Sequence, residues 1–300
     1  MCLGMTENVG FIGLGVMGAG MAHNLLKAGF AVTVTTSVPE KADIFRDRGA
    51  TVVATPREVA VAASIVVTCV PDHAALEVVV SGEDGMLSSD GWTDGLLIDC
   101  STIAPDEARA IGASIAVGGG AFVDAPISGG RKGADEATLS IMCGGSEADF
   151  QRALPVFEAM GRSVRRVGDI GAGQTLKACN QTMVLANLMG VSEAIGMARA
   201  GGVDPKVMRE LILTSTGRSG VLENNAKRYM DGQTEPGFRI ALMRKDIGIA
   251  ESIGAEAGLV QPATALAHQL LRAAKGADLD DQDTSALMVL YDRLNGTPMA

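Results

Sequence analysis

The sequence has few of the residues on which several classes of function depend. Only 3% of its 300 residues are aromatic, so few rings are present on which single-stranded bases could stack. The net charge is −10 and the isoelectric point is near 4.8, whereas nucleic acids and anionic membranes attract basic surfaces. No stretch approaches the roughly 18 apolar residues of a membrane-spanning helix. We therefore expect neither a nucleic-acid partner nor a membrane partner.

Cysteine and histidine are also scarce. There is no Cys-x-x-Cys pair and no histidine cluster; the residues concerned are Cys2, Cys69, Cys100, Cys143, Cys179, His23, His73 and His268. This spacing predicts reduced thiols, no disulfide framework and no metal site. The opening segment, MCLGMTENVG, lacks the basic and apolar regions of a signal peptide. We therefore predict a cytoplasmic protein.

The first half of the chain alternates short apolar strands with helical segments. Such alternation predicts an α/β fold in which a doubly wound parallel sheet carries helices on both faces. The predicted strands are Val9–Gly13, Ala31–Thr35, Val52–Ala54, Ile65–Cys69, Leu96–Asp99, Phe122–Ala125 and Thr138–Cys143.

After about Gly168 the strand patterns end and long helical patterns follow, beginning with one helix over Gln174–Ala200. We therefore predict a Rossmann-type dinucleotide-binding domain over residues 1–168 and an all-helical substrate and dimerisation domain over residues 169–300. The Met- and Ala-rich stretch Met183–Met197 has more apolar surface than one cleft needs, which predicts a homodimer or homotetramer.

A glycine-rich turn follows the first predicted strand directly. The glycines of Gly13-Leu14-Gly15-Val16-Met17-Gly18 have the spacing of a dinucleotide-binding turn. In such a turn the first glycine permits the tight bend, the second lets a pyrophosphate approach the backbone, and the third lets the helix pack against the strand. The helix N-terminus then offers N–H donors to the phosphates. The alternative is an ordinary turn of an α/β domain.

The end of the second strand indicates which nicotinamide cofactor is used. An acid there would bind the ribose 2′-OH of NAD, whereas a nearby Arg would bind the 2′-phosphate of NADP. This chain has Thr36 and Ser37 instead, and Lys41 lies one turn into the next helix. Because hydroxyl groups do not repel a phosphate, we expect NAD or NADP with a slight preference for NADP.

These features, with further motifs in the same order along nearly the whole chain, resemble the 3-hydroxyacid dehydrogenase family, to which the 3-hydroxyisobutyrate dehydrogenases belong. The opening FIGLGVMGAGMAHNLL is similar to the family's signature. The further motifs are Cys69-Val70-Pro71, Asp99–Thr102, Asp124–Gly130, Gly168–Gln181 and Lys245-Asp246. Within the family, the segments Gly168–Gly173, Asn180-Gln181 and Pro236–Ile240 most resemble the tartronate semialdehyde (2-hydroxy-3-oxopropionate) reductases.

The resemblance implies hydride transfer between NAD(P)(H) and a small 3-hydroxy acid or its aldehyde acid, with Lys177 as general acid/base and Asn180 beside it. Asn180 and Gln181 follow Lys177 at i+3 and i+4, which places all three on one helix face. The resemblance also implies substrate-binding residues, which are Ser128, Gly129, Gly130, Gln181 and Asp246. It implies cofactor contacts from Val70, Pro71, Thr102 and Lys245 in addition to the glycine turn.

Each assignment has a structural alternative. Lys177 would be a surface lysine, Asp246 a helix cap, and Thr102 part of a cap before Pro105. Asn180 would make a structural amide bond, and the Ser128 loop would be a plain turn. Lys245 would be a solvated helix charge, and the neighbouring Arg131 and Lys132 belong to a solvated turn or attract an anionic substrate.

Tartronate semialdehyde, which would be reduced to glycerate, is the first substrate that we expect. The alternatives are a 3-hydroxyisobutyrate or threonate dehydrogenase, a non-catalytic nucleotide sensor, an imine-reducing enzyme and a decarboxylating 6-phosphogluconate dehydrogenase type. A further rival is a 2-hydroxy acid dehydrogenase that uses His73, although the sequence shows no clear acid to orient this histidine, and a surface loop is its expected position.

Overall fold

The computed structural model describes residues 8–88, 92–233 and 235–296. Cys2 and the first seven residues of the opening segment, for which we expect no signal peptide, lie outside the described residues. The chain forms two compact units, residues 1–177 and residues 178–300, and each unit is described by itself.

The first unit contains one sheet, whose strands in the described part of the chain are β1 (Asn8–Ile12), β2 (Ala31–Thr35), β3 (Thr51–Val52), β4 (Ile65–Thr68), β5 (Leu96–Asp99), β6 (Ala121–Asp124), β7 (Ile127–Ser128), β8 (Leu139–Gly144) and β9 (Gly161–Gly168). The strand order is β3-β2-β1-β4-β5-β6-β8-β7, with β9 paired to β8. The pairs from β3 to β6 are parallel. The predicted doubly wound parallel sheet is confirmed.

Apolar side chains cover both faces of the central strands. In β4, Ile65 and Val67 pack into one core cluster and Val66 packs into the other, as the two-residue repeat of a strand requires. Helices supply the facing residues; they are α1 (Gly18–Lys27), α2 (Pro39–Asp47), α3 (Pro56–Ala62), α4 (His73–Ser81), α5 (Pro105–Val117), α6 (Gly130–Asp135) and α7 (Glu147–Met160). Burial on both faces explains why these strands are continuous apolar runs.

The edge formed by β7, β8 and β9 differs from the sequence prediction. Strand β8 is antiparallel to β6 and β7 and parallel to β9, so the sheet is mixed at this edge. Strands β7 and β9 were not predicted from the sequence pattern; β7 has only two residues. The segment GRSVRRVG of β9 pairs with β8, is half exposed, and has three arginines in place of an apolar pattern.

The second unit consists of helices in the residues that the structure describes. Helix α8 (Ala172–Ala200) begins in the first unit and supplies its last residue, Lys177. The other helices are α9 (Pro205–Leu213), α10 (Gly220–Met230), α11 (Ile240–Glu256), α12 (Pro262–Gly276) and α13 (Ala286–Asn295). Their core includes Leu185, Leu188, Met243, Leu271 and Leu287. Over the described ranges, no helix combines the length and the apolar character needed to cross a bilayer.

Candidate active site

The glycine turn joins β1 to α1 with the geometry that a bound pyrophosphate needs. Gly13 has a φ of +102°, and a Cβ there would lie 2.4 Å from the Cys69 carbonyl oxygen. A Cβ on Gly18 would lie 1.9 Å from the Gly13 carbonyl oxygen. Above Gly15, by contrast, a Cβ would meet no heavy atom within 4 Å. The turn is therefore closed at its two ends and open at its middle, as a dinucleotide requires.

The other residues of this turn contribute mainly through their backbones. The Leu14 side chain is buried in the core, whereas that of Val16 is exposed. Met17 is the N-cap residue of α1 and makes no side-chain cap hydrogen bond. Because the first N–H groups of a helix have no intrahelical acceptor, the start of α1 offers donors and a positive dipole end to phosphate. The predicted dinucleotide turn fits the cofactor.

The neighbouring strand ends are tied together by polar groups. The backbone N–H of Val70 donates to the Ser101 hydroxyl at 2.9 Å, and the Ser101 N–H donates to Asp99 at 3.1 Å. These bonds join the Val70-Pro71 turn after β4 to the segment after β5. Thr102 in that segment is half-buried, but the N-cap residue of α5 is Ala104. Thr102 is therefore not the N-cap residue of this helix.

Thr36 and Ser37 follow β2 directly, on the same sheet edge as the glycine turn. The Gly13 N–H donates to the carbonyl of Thr35 at 3.1 Å, which places the two turns side by side. The Thr36 hydroxyl accepts from the Val38 N–H at 3.4 Å, while Ser37 is exposed. Lys41 is exposed on α2. Ser37 therefore presents the more accessible hydroxyl for a ribose or its phosphate.

Lys177 and the Ser128 loop lie together within the first unit. The lysine side chain is only 6% exposed, and its Nζ donates to the carbonyl of Ile127 at 2.8 Å. Ser128 is the next residue, and Gly129 and Gly130 follow with φ values of +138° and +62°. The alternative of a surface lysine is therefore wrong. The structure brings this amine to the loop that was predicted to bind the substrate carboxylate.

Asp124 and Gln174, to which sequence analysis assigned no role, hold the start of α8. The two carboxylate oxygens of Asp124 accept the N–H groups of Gly171 at 2.7 Å and of Gln174 at 2.9 Å. Burial raises the pKa of Asp124 to about 6, although these hydrogen bonds lower it. The signal in the sequence was an acid at the end of a strand, which alone does not identify its partner.

A second polar group lies within the second unit. The Gln181 amide donates to the Asp246 carboxylate at 2.7 Å and accepts from the Asn180 amide at 2.9 Å. Lys245 forms an ion pair with Asp246 at 3.1 Å. Asp246 is buried in α11, well after its first residue Ile240, so a helix-capping role is wrong. Buried polar groups of this kind require partners, and these side chains provide them for one another.

His73 is the first residue of α4 rather than part of a loop. Its Nε2 lies 4.0 Å from the Glu77 carboxylate, one helical turn later. Glu77 is an acidic neighbour that the sequence pattern did not indicate. The separation is longer than a hydrogen bond, so this arrangement lacks the oriented pair that 2-hydroxy acid chemistry would need. Among the described residues, no cluster of three or more His, Cys, Asp or Glu side chains is arranged to hold a metal ion.

Two family models match the chain and together span most of it. The model described as the NAD binding domain of 6-phosphogluconate dehydrogenase matches residues 8–168. The model described as NAD-binding of NADP-dependent 3-hydroxyisobutyrate dehydrogenase matches residues 171–291. Nicotinamide dinucleotide binding is therefore a property of the families that this chain matches, and the expected cofactor, NAD or NADP, is confirmed.

Characterised relatives are similar over nearly their whole length. The chain is 39% identical to 2-hydroxy-3-oxopropionate reductase of Escherichia coli, covering 93% of this chain and 95% of the relative. It is 35% identical to the NAD-dependent L-serine dehydrogenase of Pseudomonas aeruginosa, with 97% and 99% covered. A crystal structure of 3-hydroxyisobutyrate dehydrogenase from Salmonella typhimurium is similar with a TM-score of 0.87 at 28% identity, covering 95% of this chain and 99% of that one.

The buried Asp124 carboxyl predicts a pH-dependent contribution to stability. Its pKa of about 6 lies above the ordinary value of 3.8, so the folded chain binds this proton more tightly than the unfolded chain. The resulting stabilisation is present below about pH 4 and is lost as the pH rises through 6. Asp124→Asn removes this titration. The free energy of unfolding of the wild type minus that of the variant should therefore fall by roughly 2 kcal/mol between pH 4 and pH 7.

Urea unfolding of both proteins at several pH values measures this difference. A difference that stays constant, or that grows as the pH rises, would show that burial does not hold the Asp124 proton in the folded chain.

Proposed function

Because this chain belongs to the family of NAD(P)-dependent 3-hydroxyacid dehydrogenases, we propose that Lys177 is its general acid/base and that tartronate semialdehyde, reduced to glycerate, is its substrate. The observation that carries the first part is the position of the lysine. Its amine is buried and bonded to the carbonyl of Ile127, immediately before Ser128. The buried amine lies next to a glycine-rich loop with a hydroxyl group. This arrangement favours the binding of an anionic substrate over a purely structural role for the lysine.

The chemistry of this family needs a proton donor next to the reacting carbonyl. The nicotinamide cofactor, when bound, supplies or accepts the hydride. The Lys177 ammonium would donate a proton to the alkoxide that develops during reduction, and the neutral amine would take the hydroxyl proton in the reverse direction. Its bond to Ile127 fixes the amine beside the Ser128 loop. This geometry supports a proton-transfer role.

The Ser128 loop would bind the substrate carboxylate. Backbone N–H groups of successive residues in turn conformations form concave sites for anions, and Gly129 and Gly130 both have positive φ. The Ser128 hydroxyl adds a donor. The proposed roles of Asn180, Gln181 and Asp246 toward substrate, and of Lys245 toward cofactor, rest on the family resemblance; the hydrogen bonds among these residues fix their side chains.

The choice of tartronate semialdehyde is supported by the relative from Escherichia coli, whose name is 2-hydroxy-3-oxopropionate reductase, and by the segments Gly168–Gly173 and Pro236–Ile240. Other relatives are named for 3-hydroxyisobutyrate and L-serine. A panel of tartronate semialdehyde, 3-hydroxyisobutyrate, threonate and L-serine tests the choice. A higher kcat/KM for any of the other three than for tartronate semialdehyde would contradict it.

Replacing the lysine tests the proton-transfer role. Lys177→Ala should lower kcat by roughly 10²- to 10⁴-fold, because the alkoxide then lacks its positioned proton donor. Cofactor affinity, measured by fluorescence titration, should stay near that of the wild type, since the glycine turn is untouched. The exposed Lys275 at the end of α12 provides the control, and Lys275→Ala should leave kcat unchanged. A near wild-type kcat for Lys177→Ala would contradict this assignment.

The end of β2 tests cofactor preference. We propose that the wild type prefers NADPH, since Ser37 is exposed and uncharged and Lys41 is near in sequence. Ser37→Asp places a carboxylate where the 2′-phosphate would bind, so kcat/KM with NADPH should fall on the order of tenfold or more. The value with NADH should fall less or rise. Ser37→Ala is the control for loss of the hydroxyl alone. A large preference of the wild type for NADH would contradict the proposal.

We also propose that the protein is a homodimer or homotetramer. Met183 and Met197 of α8 are 66% and 69% exposed, and exposed apolar surface of this kind marks contact sites. Light scattering should give a mass two or four times the 30.8 kDa of the single chain. Changing both methionines to Glu should reduce that mass, whereas Gln151→Glu on α7 should not. A monomeric wild type would refute this.

A further inference from the structure

Gln174, in the first turn of α8, connects two parts of the first unit that the proposed function uses separately. Its side chain is only 1% exposed. The amide nitrogen donates to the Ser101 carbonyl at 2.9 Å, and the amide oxygen accepts from the Ile103 N–H at 3.2 Å. One side chain therefore satisfies one acceptor and one donor of the segment that follows β5.

The two groups that Gln174 holds flank a single residue, Thr102. The Ser101 carbonyl belongs to the peptide group before Thr102, and the Ile103 N–H belongs to the peptide group after it. Gln174 therefore sets the orientation of both peptide groups around a residue to which the family resemblance assigns a cofactor contact. The Ser101 hydroxyl also accepts from the Val70 N–H, so the segment that Gln174 holds is bonded in turn to the loop after β4.

The backbone of Gln174 belongs to the helical turn that leads to Lys177. Its N–H donates to Asp124 at 2.9 Å, and Lys177 follows three residues later, on the same side of the helix. The lysine amine is held in turn by the Ile127 carbonyl. The Gln174 side chain thus joins the lysine turn to the Thr102 segment. Asp124, at the end of β6, and Ile127, at the start of β7, hold the same turn through their own hydrogen bonds.

The contact is specific for an uncharged amide. A carboxylate has two acceptors and would repel the Ser101 carbonyl, and an apolar side chain of equal size would leave both backbone groups without this partner. Leaving such buried groups unsatisfied is costly. The protonated form of a glutamic acid is the one close substitute, because its O–H can donate to Ser101 while its other oxygen accepts from Ile103.

We propose that Gln174 is a positioning residue of this enzyme. It fixes the position of the Lys177 turn relative to the Thr102 segment, so that the amine reaches the reacting oxygen. The inference rests on the proposed role of Lys177. It predicts that Gln174 affects the chemical step through the lysine more than it affects cofactor affinity.

The first test is Gln174→Met, which keeps the size of the side chain and removes both hydrogen bonds. We expect kcat to fall on the order of 10- to 100-fold, since misplacement of a reacting group by about 1 Å costs rates of this size. The dissociation constant for NADPH should change by a smaller factor than kcat, because the glycine turn that would bind the pyrophosphate is untouched. Thr175→Ala is the matched control on the same turn, and it should leave kcat unchanged. A wild-type kcat for Gln174→Met would overturn the inference.

A double-mutant cycle with Lys177→Ala separates positioning from a general structural effect. If Gln174 acts through the lysine, Gln174→Met should lower the residual kcat of Lys177→Ala less than threefold, because residues that act as a unit are not additive. Multiplicative losses would overturn the inference. These outcomes differ from failure of the proposed function, in which Lys177→Ala itself would keep a near wild-type kcat.

Gln174→Glu provides a second test of the inference, which does not depend on whether the Met variant folds. The new carboxyl would lie on the residue whose N–H donates to Asp124 and one turn from Lys177, so the wild type is measured in parallel to account for the titration of these groups. We expect kcat relative to wild type to rise toward low pH, where the protonated side chain restores both hydrogen bonds, and to rise by a larger factor than NADPH affinity changes. A ratio that does not vary with pH, or that rises toward high pH, would overturn the inference.

Discussion

The Asp124 carboxylate joins the end of β6 to the start of α8, and the arrangement around Lys177 depends on that contact. Two backbone N–H groups of the helix start, from Gly171 and Gln174, converge on its two oxygens. Negative charge at this position also complements the positive end of the helix dipole. The burial that raises the pKa of this carboxyl shows that the contact is made at an energetic cost, which the hydrogen bonds partly offset.

The sheet explains why so many of the predicted residues meet at one edge. In a parallel sheet the carboxyl ends of neighbouring strands lie side by side, and ligands bind outside these ends. Thr68, Asp99 and Asp124 stand in register on β4, β5 and β6, and the glycine turn follows β1 at the same edge. The long sequence separation between these positions is therefore no obstacle to a shared site within the first unit.

The second unit uses a different principle, since its polar groups satisfy one another inside a helical core. Gln181 uses both ends of its amide, toward Asn180 and Asp246, and Lys245 balances the buried carboxylate. Removing one member of such a buried network exposes its partners to the cost of desolvation. Substitutions here would therefore combine structural and functional effects.

The sequence alone was enough to predict the alternation of strands and helices, the glycine turn, the helical second half and the family. Each of these depends on local spacing and residue type. The tertiary structure decided what local patterns do not contain: the antiparallel pairing of β8, the edge strand β9 with its three arginines, and the partners of Asp124 and Gln174. Those partners lie 47 to 73 residues away in sequence. Contacts over such separations depend on how strands are ordered in the sheet, and a one-dimensional pattern does not specify that order.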